Sequence, residues 1–368
     1  MAYVKNINGY DIKDAEARED IERLERTYHA PNYVLIGDSY GYDATRDGTD
    51  ITGWINRFKS RYGLVENSDC FSRAEAGAGF SSESSSGRTF QEIMEYIAEN
   101  MTEEQRINTG HIVVAGGAND TIAPHNTADY YSIFASFRSS MRSLFPNASL
   151  TVVPIGMDNS TRTRRLRAPA VYAAYQSACE GLNINFAWGA WFFRYDKRTE
   201  VSDHLHLNTE GQRIATSMIM NAINGGSCGY YARETMTVTK DSAFGGGTFS
   251  IEVILQDGLI TFNLVELNKL FTYSTPTALT MNNSFKGLGT FESSILPDNC
   301  YIVTRTGVRT RDNATGIFYE AGGIMSYANN NLSVNAPYAD GLTGYKSISE
   351  CSQIGVDFND FVASAFTM

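Results

Sequence analysis

The chain has 368 residues, of which 42% are hydrophobic and 19% are charged, and its formal net charge is −11 at pH 7. This length predicts two domains, at about 100–200 residues per domain, and the hydrophobic content excludes a globally disordered chain. The diffuse acidic balance argues against nucleic acid or an anionic membrane surface as a partner.

The five cysteines are scattered along the chain and do not indicate a metal site, and the start of the chain does not indicate export. No C-x-x-C pair and no Cys/His cluster with zinc-ligand spacing is present, so no metal is predicted. The first residues, MAYVKNINGY, lack the apolar segment and cleavage site of a secretory signal, and no stretch reaches the roughly 18 apolar residues of a membrane span. We expect a protein made in the cytoplasm, without a signal peptide and without a membrane partner.

The N-terminal stretch, residues 1–28, predicts a tight turn followed by one short helix. Within DIKDAEAREDIERLERTY, apolar residues recur at Ala17, Ile21, Leu24 and Tyr28, which is the narrow seam of an amphipathic helix. A seam this short does not stabilise an isolated helix. The helix therefore either packs on the next domain or joins copies of the chain into an oligomer.

Residues 29–228 alternate between strand-like and helix-like patterns. The apolar runs YVLIG, HIVVAGG, LTVVPIG and NINFAW predict buried strands. The segments TFQEIMEYIAENM, DYYSIFASFRSSMRSLFP and TEGQRIATSMIMNAI predict amphipathic helices, with capping boxes at Thr89–Glu92 and Thr209–Gln212. The alternation indicates an α/β domain in which helices cover both faces of a parallel sheet. Ligands bind such domains at the carboxyl ends of the strands.

Residues 229–368 differ in composition and are rich in Gly, Ser, Thr and Asn. Short strand-like runs, such as FSIEVIL, LITFNLVEL and CYIVTRTG, are separated by turn signals such as QDG and ANNN. The pattern predicts an antiparallel β-sandwich or jelly-roll-like domain. The junction between the two domains is expected at GGSCGYY.

Three polar segments follow predicted strands of the α/β domain. They are GDS with Ser39, GGAND with Asn119, and SDHLHLNTEGQRIA, in which Asp203 stands three residues before His206. A serine hydroxyl needs a base such as imidazole to become a nucleophile, and a carboxylate must orient that imidazole. Because the segments lie at carboxyl ends of strands in one sheet, we expect them to converge on one site.

Together, these segments resemble the sequence blocks of the SGNH hydrolases, also called GDSL esterases/lipases, and they occur in the order of that family. The resemblance covers roughly residues 29–228 and implies a three-layer α/β/α, flavodoxin-like fold. It implies that Ser39 is the nucleophile, His206 the base and Asp203 the partner of the base.

The resemblance also implies an oxyanion hole, formed by the Ser39 N–H, the Asn119 side chain and one glycine N–H. The glycine block falls within FSRAEAGAGFSS. Glycine suits this position because the backbone must approach the substrate closely and can need a positive φ. Gly79 is the predicted donor, and Gly77 is the alternative.

The activity implied by the resemblance is that of a serine esterase for short-chain carboxylic esters, which needs no metal or organic cofactor. The family and the appended β-domain suggest an O-acetylated polysaccharide as the substrate. The segment NINGYDIKDAEARE resembles N-terminal segments of phage tail and baseplate proteins, which implies virion association and a homotrimer or other homo-oligomer. The alternative is a glycan-binding or structural tail protein that uses the hydrolase domain as a scaffold.

Other residues near these motifs receive structural interpretations. Asp38 is predicted to stabilise its turn rather than to serve as the triad acid, Asp120 to support its loop, and His204 to be a loop residue. The basic run TRTRRLRAP predicts either a solvated loop and helix start or a contact with an anionic polymer. The run NFAWGAWFFRY predicts core packing, with one or two aromatic rings left to wall an acyl pocket or stack on a sugar.

Overall fold

The computed structural model describes residues 32–122, 127–240, 247–256, 259–264, 286–290, 292–296, 301–311, 318–328, 331–335, 346–348 and 354–357. The predicted N-terminal helix, within residues 1–28, lies outside the described residues. Of the helices that are described, none combines the length and the apolar character needed to cross a bilayer.

The elements of the α/β unit follow one another in the predicted alternation. In chain order they are β1 (Asn32–Gly37), β2 (Ala44–Arg46), β3 (Thr49–Ile51), α1 (Trp54–Tyr62), β4 (Cys70–Ala74), α2 (Phe90–Glu99), α3 (Glu103–Ile107), β5 (Thr109–Gly116), α4 (Ala118–Ile122), α5 (Thr127–Leu144), β6 (Ser149–Pro154), α6 (Arg162–Gly181), β7 (Asn185–Phe186), two 3₁₀ segments (Ala190–Tyr195 and Lys197–Thr199) and α7 (Thr209–Ile223).

Five of these strands form a parallel sheet in the order β4-β1-β5-β6-β7. Alternate residues of β1 face opposite sides, so Val34 and Ile36 join the core beneath α2, α5 and α6, whereas Leu35 joins the core beneath α1 and α7. The predicted three-layer α/β/α fold is therefore confirmed. Its layers place the carboxyl ends of β1, β4 and β5 side by side.

Helix α7 begins where the sequence predicts but with a different cap. The side chain of Asn208 accepts the Gly211 N–H at 3.0 Å, so the predicted capping box of Thr209 and Gln212 is wrong. Gln212 is buried instead, and its Nε2 donates to the backbone oxygen of Tyr40 at 3.0 Å. The helix thereby contacts the turn that follows β1. The capping box of α2, formed by Thr89 and Glu92, is present as predicted.

The second unit is an antiparallel sheet. Its described strands are β8 (Tyr231–Lys240), β9 (Thr248–Gln256), β10 (Leu259–Leu264), β11 (Lys286–Thr290), β12 (Tyr301–Arg311), β13 (Phe318–Ala328), β14 (Asn331–Asn335), β15 (Lys346–Ile348) and β16 (Ile354–Asp357). These nine strands have the order β15-β12-β13-β14-β11-β8-β9-β10-β16. The antiparallel prediction is confirmed, whereas a sandwich of two sheets stays a prediction.

The two units share buried contacts around the first 3₁₀ segment. The Lys197 N–H donates to the backbone oxygen of Ile295 at 2.7 Å, and the Tyr230 hydroxyl donates to the Asp196 carboxylate at 2.6 Å. One continuous hydrophobic cluster includes side chains from both units: Trp191, Phe192, Tyr195, Met236, Ile295 and Leu296. The antiparallel sheet therefore completes part of the core of the α/β unit.

Candidate active site

Ser39 lies in the turn directly after β1, at the carboxyl edge of the parallel sheet. The turn is held by the buried carboxylate of Asp38, which accepts the N–H groups of Tyr40 and Gly117, both at 3.0 Å. Burial raises the pKa of Asp38 to about 7, although these two N–H groups oppose the shift. Asp38 thus ties the turn after β1 to the turn after β5, and the structure shows no bond between it and His206.

We expect Asp38→Ala to lower the free energy of unfolding by about 1–3 kcal/mol for each of the two backbone N–H groups that would lose its acceptor. Both donors belong to buried residues, so water does not readily replace the carboxylate. Urea denaturation measures the change, with Glu99→Ala at the exposed end of α2 as the control. Equal denaturation midpoints for the two variants would contradict this role.

Ser39, His206 and Asp203 form one chain of hydrogen bonds. The Nε2 of His206 lies 2.9 Å from the Ser39 Oγ, and its Nδ1 lies 2.6 Å from the Asp203 Oδ2. The Asp203 Oδ1 accepts the backbone N–H groups of Leu205 and His206, both at 2.8 Å. This arrangement lets the imidazole take the serine proton while the carboxylate holds the other ring nitrogen. The structure thus brings together the three residues that the sequence singles out.

The pKa values of the pair favour a neutral imidazole beside an ionised carboxylate. Burial lowers the pKa of His206, and the hydrogen bond with Asp203 only partly opposes that shift. Burial disfavours the ionised form of Asp203, but the hydrogen bonds from the His206 side chain and from two backbone N–H groups outweigh it and lower the pKa of Asp203. At neutral pH the imidazole is therefore free to accept a proton.

We expect kcat/KM to rise with pH through a midpoint below about 6.5, the ordinary pKa of histidine. A protonated imidazole does not accept the serine proton, so activity is full above the pKa of His206 and is lost as the pH falls through it. Hydrolysis of an aryl acetate between about pH 4.5 and about pH 8 gives the profile. A midpoint above the ordinary histidine value would contradict the burial effect.

Asn119 lies in α4, immediately after β5, with its side chain near the loop that follows β4. Its Nδ2 donates to the backbone oxygen of Ala78 at 2.8 Å. A primary amide has two N–H groups, so this bond fixes the orientation of the side chain and leaves the second N–H to donate elsewhere.

The two candidate glycines differ in how their N–H groups are used. The Gly79 N–H donates to the backbone oxygen of Ser82 at 2.8 Å, and a Cβ at Gly79 would clash with the Asp120 carboxylate. Gly77 has a φ of +87°, and none of the hydrogen bonds between described residues uses its N–H. The geometry therefore disfavours the predicted donor, Gly79, which allows close packing instead, and leaves Gly77 as the candidate.

Asp120 organises the same loop. Its carboxylate accepts the backbone N–H groups of residues 80, 81 and 82 at 2.7–3.1 Å, and also the hydroxyl of Tyr175. As the sequence predicts, Asp120 supports a loop, but the loop that it holds is the one after β4 rather than only its own.

A buried polar network that the sequence does not predict lies beneath the loop that carries His206. The Arg194 side chain is fully buried, and its Nη2 donates to the backbone oxygen of Leu205 at 2.8 Å. The Glu200 carboxylate lies 3.6 Å from the same guanidinium and accepts the Asn159 Nδ2 at 2.8 Å. Glu200 also pairs with His204 at 2.9 Å. A lone arginine within an aromatic run was the only signal of this network in the sequence.

The two other segments singled out in the sequence serve the fold. Helix α6 begins within the basic run, where Arg164 pairs with Asp158 at 2.8 Å, Arg165 donates to Asn159, and Arg167 donates to the backbone oxygen of Ile122. These contacts favour the helix start over an anionic polymer. In the aromatic run, Trp191, Phe192 and Phe193 are buried in the core, whereas Trp188 is half-buried.

Comparison with known proteins places this geometry in a family. Residues 35–214 match the GDSL-like Lipase/Acylhydrolase family, and a search of curated proteins finds no match. Similar solved structures include a psychrotrophic esterase from Pseudoalteromonas sp. (13% identity, 53% of this chain and 97% of that chain covered, TM-score 0.38). An acetylxylan esterase from Geobacillus stearothermophilus is also similar (13% identity, 53% of this chain and 94% of that chain covered, TM-score 0.37). The C-terminal catalytic domain of a peptidoglycan O-acetyltransferase from Streptococcus pneumoniae is similar too (15% identity, 53% of this chain and 94% of that chain covered, TM-score 0.36).

The family match includes Ser39, Asn119, Asp203 and His206, together with most of the sheet that positions them. Residues 35–214 of this chain are therefore a carboxylic ester hydrolase domain of the GDSL-like lipase/acylhydrolase, or SGNH, family.

Proposed function

We propose that the chain is a serine esterase that removes short acyl groups, above all O-acetyl groups, from a polysaccharide. The observation that carries the proposal is the hydrogen-bond chain from the Ser39 hydroxyl through His206 to Asp203, with distances of 2.9 and 2.6 Å. A hydroxyl paired with a base in this way is poised to attack a carbonyl carbon.

The reaction proceeds in two steps at Ser39. The Oγ attacks the ester carbonyl while the His206 Nε2 takes its proton, and the same proton then passes to the departing alcohol. Water attacks the resulting acyl-enzyme with His206 again as the base, which releases the acid and restores the serine. Asp203 stays ionised throughout and stabilises the imidazolium.

We further propose that the oxyanion is bound by the N–H groups of Ser39 and Gly77 and by the second amide N–H of Asn119. Gly77 replaces Gly79 here because the Gly79 N–H is already bonded to Ser82. Each such donor typically contributes about 10²–10³ in rate.

The exposure of the proposed triad supports a large alcohol. The Asp203 side chain keeps 43% of its surface exposed, and Ser39 is only half-buried. A site this open admits an ester carried by a bulky polymer.

We propose two domains, residues 29–228, which hold the proposed catalytic residues, and residues 229–368. The last helix of the first domain ends at Ile223, and the first strand of the second domain begins at Tyr231.

The experiment is acetate release from acetylated xylan, acetylated pectin and O-acetylated peptidoglycan, with Ser39→Ala as the control. We expect release from at least one polymer and faster hydrolysis of an aryl acetate than of an aryl octanoate. Hydrolysis of the aryl acetate without acetate release from any polymer would contradict a polysaccharide substrate. The absence of hydrolysis of every ester would contradict the esterase activity itself.

Attachment to a virion and a homotrimeric state belong to the same proposal. They rest on the segment NINGYDIKDAEARE, which lies outside the described residues. Light scattering of the purified chain measures the number of copies. Binding of a glycan without any turnover would favour the alternative, a glycan-binding or structural tail protein.

A further inference from the structure

A short hairpin, strands β2 and β3, lies a few residues after the nucleophile. Its turn is Asp47–Gly48, with φ values of +49° and +73°, as in the tight turns that suit a two-residue hairpin. At its base, the Asp43 carboxylate accepts the Gly53 N–H at 2.8 Å and the Asn56 Nδ2 at 3.0 Å. The hairpin is therefore fixed to the start of α1 and projects from it.

The tip of the hairpin is bonded to the loop that carries the triad acid. The Asp47 carboxylate accepts the Ser202 N–H at 2.7 Å and the Ser202 hydroxyl at 2.6 Å. These hydrogen bonds lower the pKa of Asp47, so the carboxylate stays ionised at neutral pH. Ser202 is the residue immediately before Asp203, so the bonds connect the hairpin directly to the start of the Asp203–His206 segment.

The neighbouring residue of the hairpin places a cation beside the triad acid. The Arg46 Nη1 lies 4.0 Å from the Asp203 Oδ2, the same oxygen that pairs with His206. The Arg46 side chain is only 20% exposed, whereas that of Asp203 is 43% exposed. A triad acid is commonly buried by the protein core. Asp203 lies at an open edge of the domain, and here the hairpin covers part of its carboxylate instead.

We propose that Arg46 and Asp47 are positioning residues that hold the Asp203–His206 segment in its reactive geometry. This proposal rests on the proposed function. Asp47 fixes the backbone through Ser202. Arg46 favours the ionised carboxylate and disfavours the imidazolium.

Charged groups from three parts of the chain act on His206: Asp203 on its own loop, Arg46 on the hairpin and Arg194 beneath the loop. The ring of Tyr40, in the turn after β1, lies 5.8 Å from the imidazole. Arg194 is fully buried and bonded to the backbone oxygen of Leu205. Arg46 is therefore the cation whose removal perturbs the core least.

The test compares Arg46→Gln, Arg46→Lys and Asp47→Ala with Arg61→Gln, an exposed arginine in the last turn of α1. An NMR titration of the His206 ring, assigned by its loss in His206→Asn, needs no turnover. We expect Arg46→Gln to raise the midpoint by about 0.2–0.7 pH units, the range of an exposed ion pair. Arg46→Lys should keep most of the original value, and Arg61→Gln all of it.

Asp47→Ala should lower kcat for an aryl acetate roughly tenfold with little change in KM, because small displacements of catalytic groups are costly. Asp47→Asn keeps one acceptor and should recover part of the loss. An unchanged His206 titration in Arg46→Gln, together with full kcat in Asp47→Ala, would contradict the positioning role of the hairpin. The proposed esterase activity would be unaffected by that result. If the chain hydrolysed no ester, the proposed function would be wrong. The NMR titration of His206 would still measure whether Arg46 lowers its pKa.

Discussion

Replacing Ser39 by alanine is expected to lower kcat for an aryl acetate by at least about 10³-fold. The change removes the oxygen that we propose as the nucleophile, which among the described residues is hydrogen bonded only to the His206 Nε2. Ser39 is half-buried and outside the hydrophobic core, so the free energy of unfolding should stay within about 0.5 kcal/mol of the parent value. Steady-state kinetics and urea denaturation measure the two quantities.

Two further variants and a control sharpen this prediction. His206→Ala should be about as damaging as Ser39→Ala, because a nucleophile and its base act as a unit. Asp203→Asn should cost less, since it disturbs the orientation of the base without removing it. Ser217→Ala, at a half-buried serine of α7 whose hydroxyl donates to the backbone oxygen of Arg213, should keep full activity. Undiminished turnover by Ser39→Ala would contradict the assignment of the nucleophile.

Truncation of the chain to residues 29–228 is expected to abolish hydrolysis even of a small aryl ester. The sequence alone predicts that the truncated chain keeps this activity, since these residues hold the whole proposed triad, provided that the cut exposes no large apolar surface. That condition is not met, because Trp191, Phe192 and Tyr195 share one hydrophobic cluster with Ile295 and Leu296. Exposing a large apolar side chain costs about 1.5–3 kcal/mol, against a typical total stability of about 5–15 kcal/mol.

The damage should reach the active site through the first 3₁₀ segment. This segment carries Arg194, which donates to the backbone oxygen of Leu205, the residue immediately before His206. It also contacts the second unit, where the ring of Phe193 lies 6.2 Å from that of Tyr230. Loosening of the segment therefore frees the loop that holds His206.

The measurement compares thermal unfolding and aryl acetate turnover of the truncated and full chains. Tyr230→Phe in the full chain is the matched control, because it removes the hydrogen bond to Asp196 and keeps the ring. We expect a small loss of stability in this variant and a large one in the truncated chain. A truncated chain that unfolds cooperatively at the parent temperature and keeps its turnover would show that the α/β unit stands alone.

The sequence predicts the parts of the fold that local patterns encode. The buried run of β1 and the capping box of α2 both lie within a single segment, so the periodicity and the cap residues identify them. Strand β4 (CFSRA) has only two buried residues, and its place in the sheet comes from its pairing with β1. Nothing local in β4 marks a strand, so it is missing from the strands that the apolar runs predict.

The site follows the same division. The types and order of the proposed triad residues can be read from the sequence because acyl transfer needs those side chains at the carboxyl ends of strands. The choice between Gly77 and Gly79 cannot be read from the sequence, because it depends on which N–H the loop already uses. The Asp47–Ser202 bond joins residues far apart in the chain, and the buried position of Arg194 depends on the packing of two units. Neither has a local signature.

The central claim, that Ser39 forms the acyl-enzyme, is tested most directly by labelling with a serine-reactive fluorophosphonate and weighing the intact protein. We expect one adduct per chain, mapped by peptide mass spectrometry to the segment that contains Ser39. The adduct should be absent in Ser39→Ala and should form far more slowly in His206→Ala. An adduct on another serine, or equal labelling of Ser39→Ala, would contradict the claim.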